Sequence, residues 1–221
     1  MIKLAIFDLD GTLLDTLGDL ADACNHALAQ CGCPPHEKDA YRHFVGRGIM
    51  NLFRSSLPED MRSDDMVEKM REHFIPYYNA HKCDLTQPYP GITELLDNLK
   101  AKGINLAVAS NKYQEGTEQL VSRYFGKYDF TAVLGQREGK PIKPDAGIIY
   151  EAIGLSGAIS TDEVIYCGDS NVDMETGKNA GVKTIGVTWG FRDRAELSAY
   201  GPWLIVDNPG QIYSAIDCDI K

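Results

Sequence analysis

The chain of 221 residues contains no apolar run near the ~18 residues that would mark a membrane span. Its opening stretch, Met1-Ile2-Lys3-Leu4-Ala5-Ile6-Phe7, is apolar over too short a length for a secretory signal, and Asp8 follows at once. Positive charge is scarce: 22 Lys and Arg stand against 32 Asp and Glu, giving a formal net charge of −10. Non-specific binding to nucleic acid or to an anionic membrane draws on basic surface, so neither is expected as a partner. A small anionic ligand is not excluded, because it needs only a local cation. The six cysteines (Cys24, Cys31, Cys33, Cys83, Cys167 and Cys218) include no C-x-x-C pair, and Cys31-Gly32-Cys33 has no matching His or Cys pair nearby. Without a secretory signal they are read as free thiols in a cytoplasmic protein. The five histidines all fall between His26 and His81, none at metal-ligand spacing with Cys or Asp. Internal repeats and low-complexity segments are also missing.

What is present is an ordinary soluble composition, 43% hydrophobic and 24% charged, and a length that holds one domain plus a smaller insert. Residues 2–7 read as a buried strand ending at the polar turn Asp8-Leu9-Asp10-Gly11-Thr12. Asp15 or Thr16 is placed to cap a helix running to about Gln30, which Gly32 and Pro34-Pro35 end. Residues 37–81 show helical pattern without a convincing strand, with Met61, Met66, Met70, Phe74 and Tyr77 as a candidate apolar stripe. The breaker cluster Gln87-Pro88-Tyr89-Pro90-Gly91 closes that region. Beyond it, helices at 91–102, 114–125, 145–154 and 172–180 alternate with strands at 104–109, 131–134, 164–167, 184–187 and 204–206. Such alternation predicts an α/β fold: a Rossmann-like parallel sheet with helices on both faces. A helical cap inserted after strand 1 interrupts it. The expected division is a catalytic core of residues 1–15 and 84–221 and a cap of 16–83, placed to act as a lid.

The chemistry sits at strand ends. Asp8 and Asp10, two residues apart after a buried strand, would point to one side if both stayed extended. Close carboxylates repel unless a cation neutralises them, and a magnesium ion suits oxygen ligands and phosphate company. Gly168-Asp169-Ser170-Asn171-Val172-Asp173 gives a second acidic cluster after a second strand. Ser110-Asn111 ends the strand 104–109 with polar groups at the expected opening of a helix, where N–H donors meet anions. Lys143, just before Pro144 and the helix it begins, adds an ammonium. In a parallel sheet these four segments converge on one crevice at the carboxyl ends of the strands. Two carboxylates, a metal site, polar donors and an ammonium are the parts of phosphoryl transfer through an aspartyl intermediate.

Asp8-Leu9-Asp10-Gly11-Thr12, Ser110-Asn111, Lys143-Pro144 and Gly168-Asp169-Ser170 with Asp173 resemble, in order and spacing, the four motifs of the haloacid dehalogenase superfamily. The helical insert resembles its C1-type cap. Within the superfamily, Val45-Gly46-Arg47-Gly48 and Gly186-Val187-Thr188-Trp189-Gly190 resemble segments of the phosphoglycolate phosphatase group, although Ala146 stands where relatives often carry proline. The resemblance implies a Mg2+-dependent phosphomonoester hydrolase acting on a small phosphorylated metabolite. Asp8 would be the nucleophile, and Asp10 the acid and then the base. Asp8, the main-chain oxygen of Asp10, and Asp169 would hold Mg2+, with Ser170 and Asp173 supporting. Ser110, Asn111 and Lys143 would bind the phosphoryl group, and Thr12 would fix the first loop. Gly46 and Gly48 would let the cap loop approach the substrate, and Arg47 would meet its non-reacting anionic end. A sugar phosphomutase, a nucleotidase or pyrophosphatase, and a non-catalytic phosphate-binding protein remain as alternatives. A receiver-type signalling domain fits poorly, since its phosphorylated aspartate lies mid-chain. A monomer and a homodimer are equally compatible with the sequence.

Overall fold

In the computed structural model, which describes residues 1–157 and 159–218, the chain opens with β1 (Leu4–Phe7). All four of its residues are buried. Strand geometry sends alternate side chains to opposite faces. Ala5 and Phe7 accordingly join one apolar cluster, and Leu4 and Ile6 join another. A short strand β2 (Leu14–Asp15) then leads into six helical segments, two of them single 3-10 turns, before the chain returns. The helices there are α1 (Leu17–Gln30), α2 (Tyr41–Phe44), α3 (Ile49–Ser56) and α4 (Asp64–His81). The return strand β3 (Gln87–Pro88) pairs antiparallel with β2, so the two chain crossings form one ribbon.

After the crossing the elements alternate: α5 (Ile92–Ala101), β4 (Asn105–Tyr113), α6 (Gln114–Phe125), β5 (Phe130–Gln136) and α7 (Gly147–Leu155). There follow β6 (Val164–Gly168), α8 (Asn171–Ala180), β7 (Lys183–Val187), α9 (Arg194–Ser198), β8 (Leu204–Val206) and α10 (Pro209–Cys218). The main sheet has the order β5-β4-β1-β6-β7-β8, and every ladder in it is parallel. Residues of α5, α6 and α10 pack on the Phe7 face, and residues of α7 and α8 on the Ile6 face. The predicted α/β sheet covered on both sides is what forms.

The helical segments between β2 and β3 have a third apolar cluster of their own. Ser63 starts α4 by accepting a hydrogen bond from the Met66 N–H at 3.3 Å, and Asp64 and Asp65 sit favourably in its first turn. Its buried stripe is Val67, Met70, Phe74 and Tyr78, a 3-4-4 spacing. The expected stripe of Met61, Met66, Met70, Phe74 and Tyr77 is thus off in part. Met61 lies in the turn before the helix, and Met66 and Tyr77 pack only at the cluster's margin. Burying a side chain such as Phe74 completely contributes about 2–3 kcal/mol. Asp15, rather than Thr16, serves the start of α1, accepting from the Leu17 N–H at 3.3 Å.

Two further local expectations change. The strand expected over 104–109 runs on to Tyr113, with a register irregularity after Ala109. Ser110 and Asn111 therefore lie within β4 and do not open α6, which begins at Gln114. The helix expected from 145 starts at Gly147, leaving Lys143 and Pro144 in the preceding turn. No helix among the described residues is long and apolar enough to cross a membrane.

Candidate active site

Asp8 is the first residue past β1, and its N–H donates to the Cys167 carbonyl at 2.9 Å, extending the ladder by one residue. The chain then turns tightly, with the Thr12, Leu13 and Leu14 N–H groups all directed to the Leu9 carbonyl. Gly11 makes that turn possible. Its φ is +86°, and a Cβ there would lie 2.3 Å from Asp169 Oδ2. Gly190 is equally constrained, since a Cβ would fall 2.3 Å from both the Gly11 carbonyl oxygen and Asp169 Cβ.

Asp169 follows β6 and is 1% exposed. Thr12 Oγ1 donates to its Oδ1 at 3.0 Å, and the Phe191 N–H donates to its Oδ2 at 2.7 Å. Asp173 is the N3 residue of a capping box at the start of α8. Its Oδ2 accepts from the Ser170 N–H at 3.1 Å and from Ser170 Oγ at 2.6 Å. Its Oδ1 accepts from Lys143 Nζ at 2.7 Å and from the Tyr166 hydroxyl at 2.6 Å. Asp173 is thus both a helix cap and the counter-ion of Lys143.

Lys143 is 2% exposed, so it is no solvated lysine. Its ammonium also donates to the Ala109 carbonyl at 3.1 Å and the Tyr166 hydroxyl at 2.9 Å. It lies 3.0 Å from Asp8 Oδ1 as an ion pair, but off hydrogen-bond alignment, and that buried oxygen has no hydrogen-bond partner. Asp10 faces a different cation: both its carboxylate oxygens accept from Lys112 Nζ at 3.1 Å.

Asn111 ties three segments together. Its amide donates to the Gly46 carbonyl at 3.0 Å and to the Lys143 carbonyl at 3.1 Å, and its Oδ1 accepts from the Lys143 N–H at 2.8 Å. Ser110 is buried beside it and lines the same cleft. Two arginines also link helical segments to the loop after β7. Arg42 Nη1 donates to the Gly190 carbonyl at 2.8 Å, and Arg192 donates to the Val45 carbonyl at 3.1 Å and to the Arg42 carbonyl.

The charges are unbalanced. Burial, helped by Asp173 and Asp10, pushes Asp8 up to about 7 in spite of Lys143. Burial, with Asp173 and Asp8 beside it, holds Asp169 well above the usual carboxylate range. For Asp173 burial acts upward too, but Lys143 and its other donors outweigh it and leave the carboxyl low. Burial works against the Lys143 ammonium, and Asp173 and Asp8 outweigh it, holding its pKa above the ordinary value. Asp8, Asp169 and Asp173 each offer an oxygen within 4.8 Å of the others. Two carboxyls driven toward neutrality, an all-oxygen donor set and the unpartnered Asp8 Oδ1 fit a small hard divalent cation. The capping and ion-pair bonds already made by Asp173 leave Asp8 and Asp169 as the better ligands.

The cleft above these groups spans about 540 Å³ when its solvent-open part is counted, between the sheet edge and α1, α3 and α4. Asp8, Asp10, Ser110 and Asn111 line it from below, and Gly46, Gly48, Leu52, Phe74 and Tyr78 from above. Gly46 (φ +123°) and Gly48 (φ +80°) both take backbone conformations that glycine favours. Gly46 and Gly48 line the cleft, while Arg47 between them is exposed and is not among its lining residues. The sequence did not single out Lys112, Tyr78 or Tyr166. A lysine two residues past Ser110 on the same strand was the available signal for the first. The tyrosines read as ordinary core.

Residues 5–187 match the family model described as haloacid dehalogenase-like hydrolase. This chain belongs to that family. The family resemblance carried by the four motifs is therefore borne out. A phosphoglycolate phosphatase of Agrobacterium fabrum is 37% identical over 207 residues, covering 93% of this chain and 88% of the relative. The phosphoglycolate phosphatase of Mesorhizobium japonicum is 32% identical, over 86% of this chain and 84% of its own. A crystal structure from Lactobacillus delbrueckii subsp. bulgaricus superposes on this haloacid dehalogenase-like hydrolase with a TM-score of 0.89. It has 35% identity, and 97% of this chain and 98% of that one are covered.

Proposed function

We propose that this hydrolase is a phosphoglycolate phosphatase that works through an aspartyl-phosphate. The observation that carries the mechanism is Asp8 Oδ1: a buried carboxylate oxygen without a hydrogen-bond partner, 3.0 Å from Lys143 Nζ at the floor of the cleft. The substrate reading is supported by relatives of that name over most of the chain.

Asp8 attacks phosphorus, a P–O bond to Asp8 forms, and the ester P–O bond breaks. Asp10 gives its proton to the leaving alkoxide oxygen. In the second step Asp10 takes a proton from water, the water oxygen attacks phosphorus, and the acyl-phosphate bond breaks to return Asp8 and inorganic phosphate. Ser110 and Lys143 hold phosphoryl oxygens where charge accumulates. Asn111 acts beside them, its side chain anchoring Lys143 to the loop at Gly46. Mg2+, held by Asp8, the Asp10 main-chain oxygen and Asp169, would supply charge neutralisation at the phosphoryl group. Thr12 and the Phe191 N–H orient Asp169 for that role, and Asp173 with Ser170 fixes Lys143. The helical segment 16–83 serves as the cap over the cleft.

The test is phosphate release from 2-phosphoglycolate, sugar phosphates and nucleoside monophosphates, with Mg2+, with EDTA, and with Asp8→Asn. The expected result is metal-dependent release that favours 2-phosphoglycolate and is lost in Asp8→Asn. Release that persists in a repurified Asp8→Asn protein would remove Asp8 as nucleophile. Conversion of a sugar phosphate to its isomer, without release, would replace the phosphatase by a mutase.

A further inference from the structure

The cleft is poor in positive charge. Among the described residues around it, Lys143 lies at the floor beside Asp8 and serves the phosphoryl group, which leaves Lys112 as the cation on the lining itself. Its side chain is 4% exposed, and its Nζ stands 3.1 Å from each Asp10 oxygen and 4.7 Å from the centre of the Tyr78 ring. An ammonium has three N–H donors. Two are directed to Asp10, which leaves the third for a ligand. Tyr78 comes from α4 and lines the same cleft, and its buried hydroxyl has no hydrogen-bond partner. A buried donor without an acceptor costs free energy until something fills it.

Most of the remaining upper wall is apolar, with Leu52 and Phe74 among its residues. A second anionic group on the substrate, pressed against that wall, would be left buried without compensation unless a cation met it. Arg47, the residue the sequence suggested for this task, lies outside the cleft. Lys112 is two residues past Ser110 on β4, and its own N–H donates to Ser110 Oγ at 3.3 Å. The receptor for a second anion is therefore built next to the receptor for the phosphoryl group. That suits a molecule whose carboxylate is one carbon removed from its ester oxygen.

We infer that Lys112, with the Tyr78 hydroxyl as second donor, receives the carboxylate of the substrate and is the residue that selects an acid-bearing phosphate ester. This rests on the phosphoglycolate reading above. In the free enzyme Lys112 holds Asp10 in place. In the complex it bridges Asp10 and the substrate carboxylate.

The test compares 2-phosphoglycolate with ethyl phosphate, an ester of similar length without the acid group. It uses wild type, Lys112→Met, Lys112→Arg and Tyr78→Phe, all with Mg2+. The quantity read is the ratio of the two kcat/KM values. A charge-assisted hydrogen bond is worth about 10- to 100-fold in such a ratio. Lys112→Met is expected to lower the ratio by about that factor, chiefly through KM for 2-phosphoglycolate, with Lys112→Arg restoring part of it. Tyr78→Phe removes one oxygen and leaves the ring in place, and a fall of about 5-fold in the ratio is expected. It carries the test by itself if Lys112→Met does not fold. A ratio unchanged in Lys112→Met and Tyr78→Phe, with both esters slowed alike, overturns the inference and leaves Lys112 as a positioning residue for Asp10. A wild type that shows no preference for 2-phosphoglycolate would instead overturn the substrate reading on which the inference stands.

Discussion

Asp8 is held between opposing demands: the proposed attack on phosphorus needs it ionised, yet burial raises its pKa to about 7. An aspartate in the unfolded chain releases its proton near 3.8. Between these values the metal-free native state holds a proton that the unfolded state does not. Stability in EDTA should therefore fall as pH rises from about 4 to about 7 and stay reduced above that. Asp8→Asn keeps the shape and removes the charge. It is expected to exceed wild type in urea stability at pH 8 in EDTA by roughly 4 kcal/mol, and to match it near pH 4. A variant no more stable than wild type at pH 8 would mean that Lys143 already balances the Asp8 charge. Asp8, Lys143 and Asp169 were legible in the sequence because each stands just after a strand or before a helix, where a buried-sheet pattern breaks into polar residues. Tyr166 was not, because a tyrosine inside Val164–Gly168 satisfies the strand pattern without its hydroxyl, and only the fold shows that hydroxyl between Lys143 and Asp173.

At the scale of elements, the decisive piece is the two-strand ribbon of β2 and β3, which carries the chain out to the helical segments and back. The sequence gives little sign of it, since each strand is only two residues long and one contains Pro88. Asp19, buried in the first turn of α1, fastens the return. Its two oxygens accept from the Leu85 and Thr86 N–H groups, each at 2.9 Å. Asp19→Ala should cost about 2–3 kcal/mol, the loss expected for two hydrogen bonds to a buried carboxylate. It should also open the chain near Leu85 to protease under native conditions, measured by urea midpoint and by mapping of the cut. Normal stability and no new cut would show that the ribbon alone holds the crossing. The long helices and the parallel strands were legible because periodicity extends over many residues. The failures fall at ends: the extension of β4 through Ser110 and Asn111, and the late start of α7, depend on tertiary pairing that no local pattern carries.

For the whole molecule, a cation taken up by the acidic triad, as proposed above, would make folding and metal binding one equilibrium. A ligand present at 100 times its Kd stabilises the folded state by about 2.7 kcal/mol, which in a chain of this size is about 5–10 °C in Tm. Wild type is expected to show a rise of that order with saturating Mg2+, and Asp169→Asn to show almost none. An equal rise in both would point to a cation bound elsewhere. The sheet order places β1 at the centre, between β4 and β6, so the first strand made is the one that every later segment of the site must find.

That order has a consequence during synthesis. Asp8 emerges from the ribosome long before Trp189, Gly190 and Phe191, so the ring of contacts around it closes late. Trp189 Nε1 donates to the Thr12 carbonyl at 3.0 Å, Gly190 packs on Asp169, and the Phe191 N–H completes the Asp169 carboxylate. A nascent chain that stops short of Phe191 carries Asp8, the proposed nucleophile, without the loop that orients its neighbour Asp169. Any translation product that ends between Asp8 and Phe191 therefore lacks part of the proposed site.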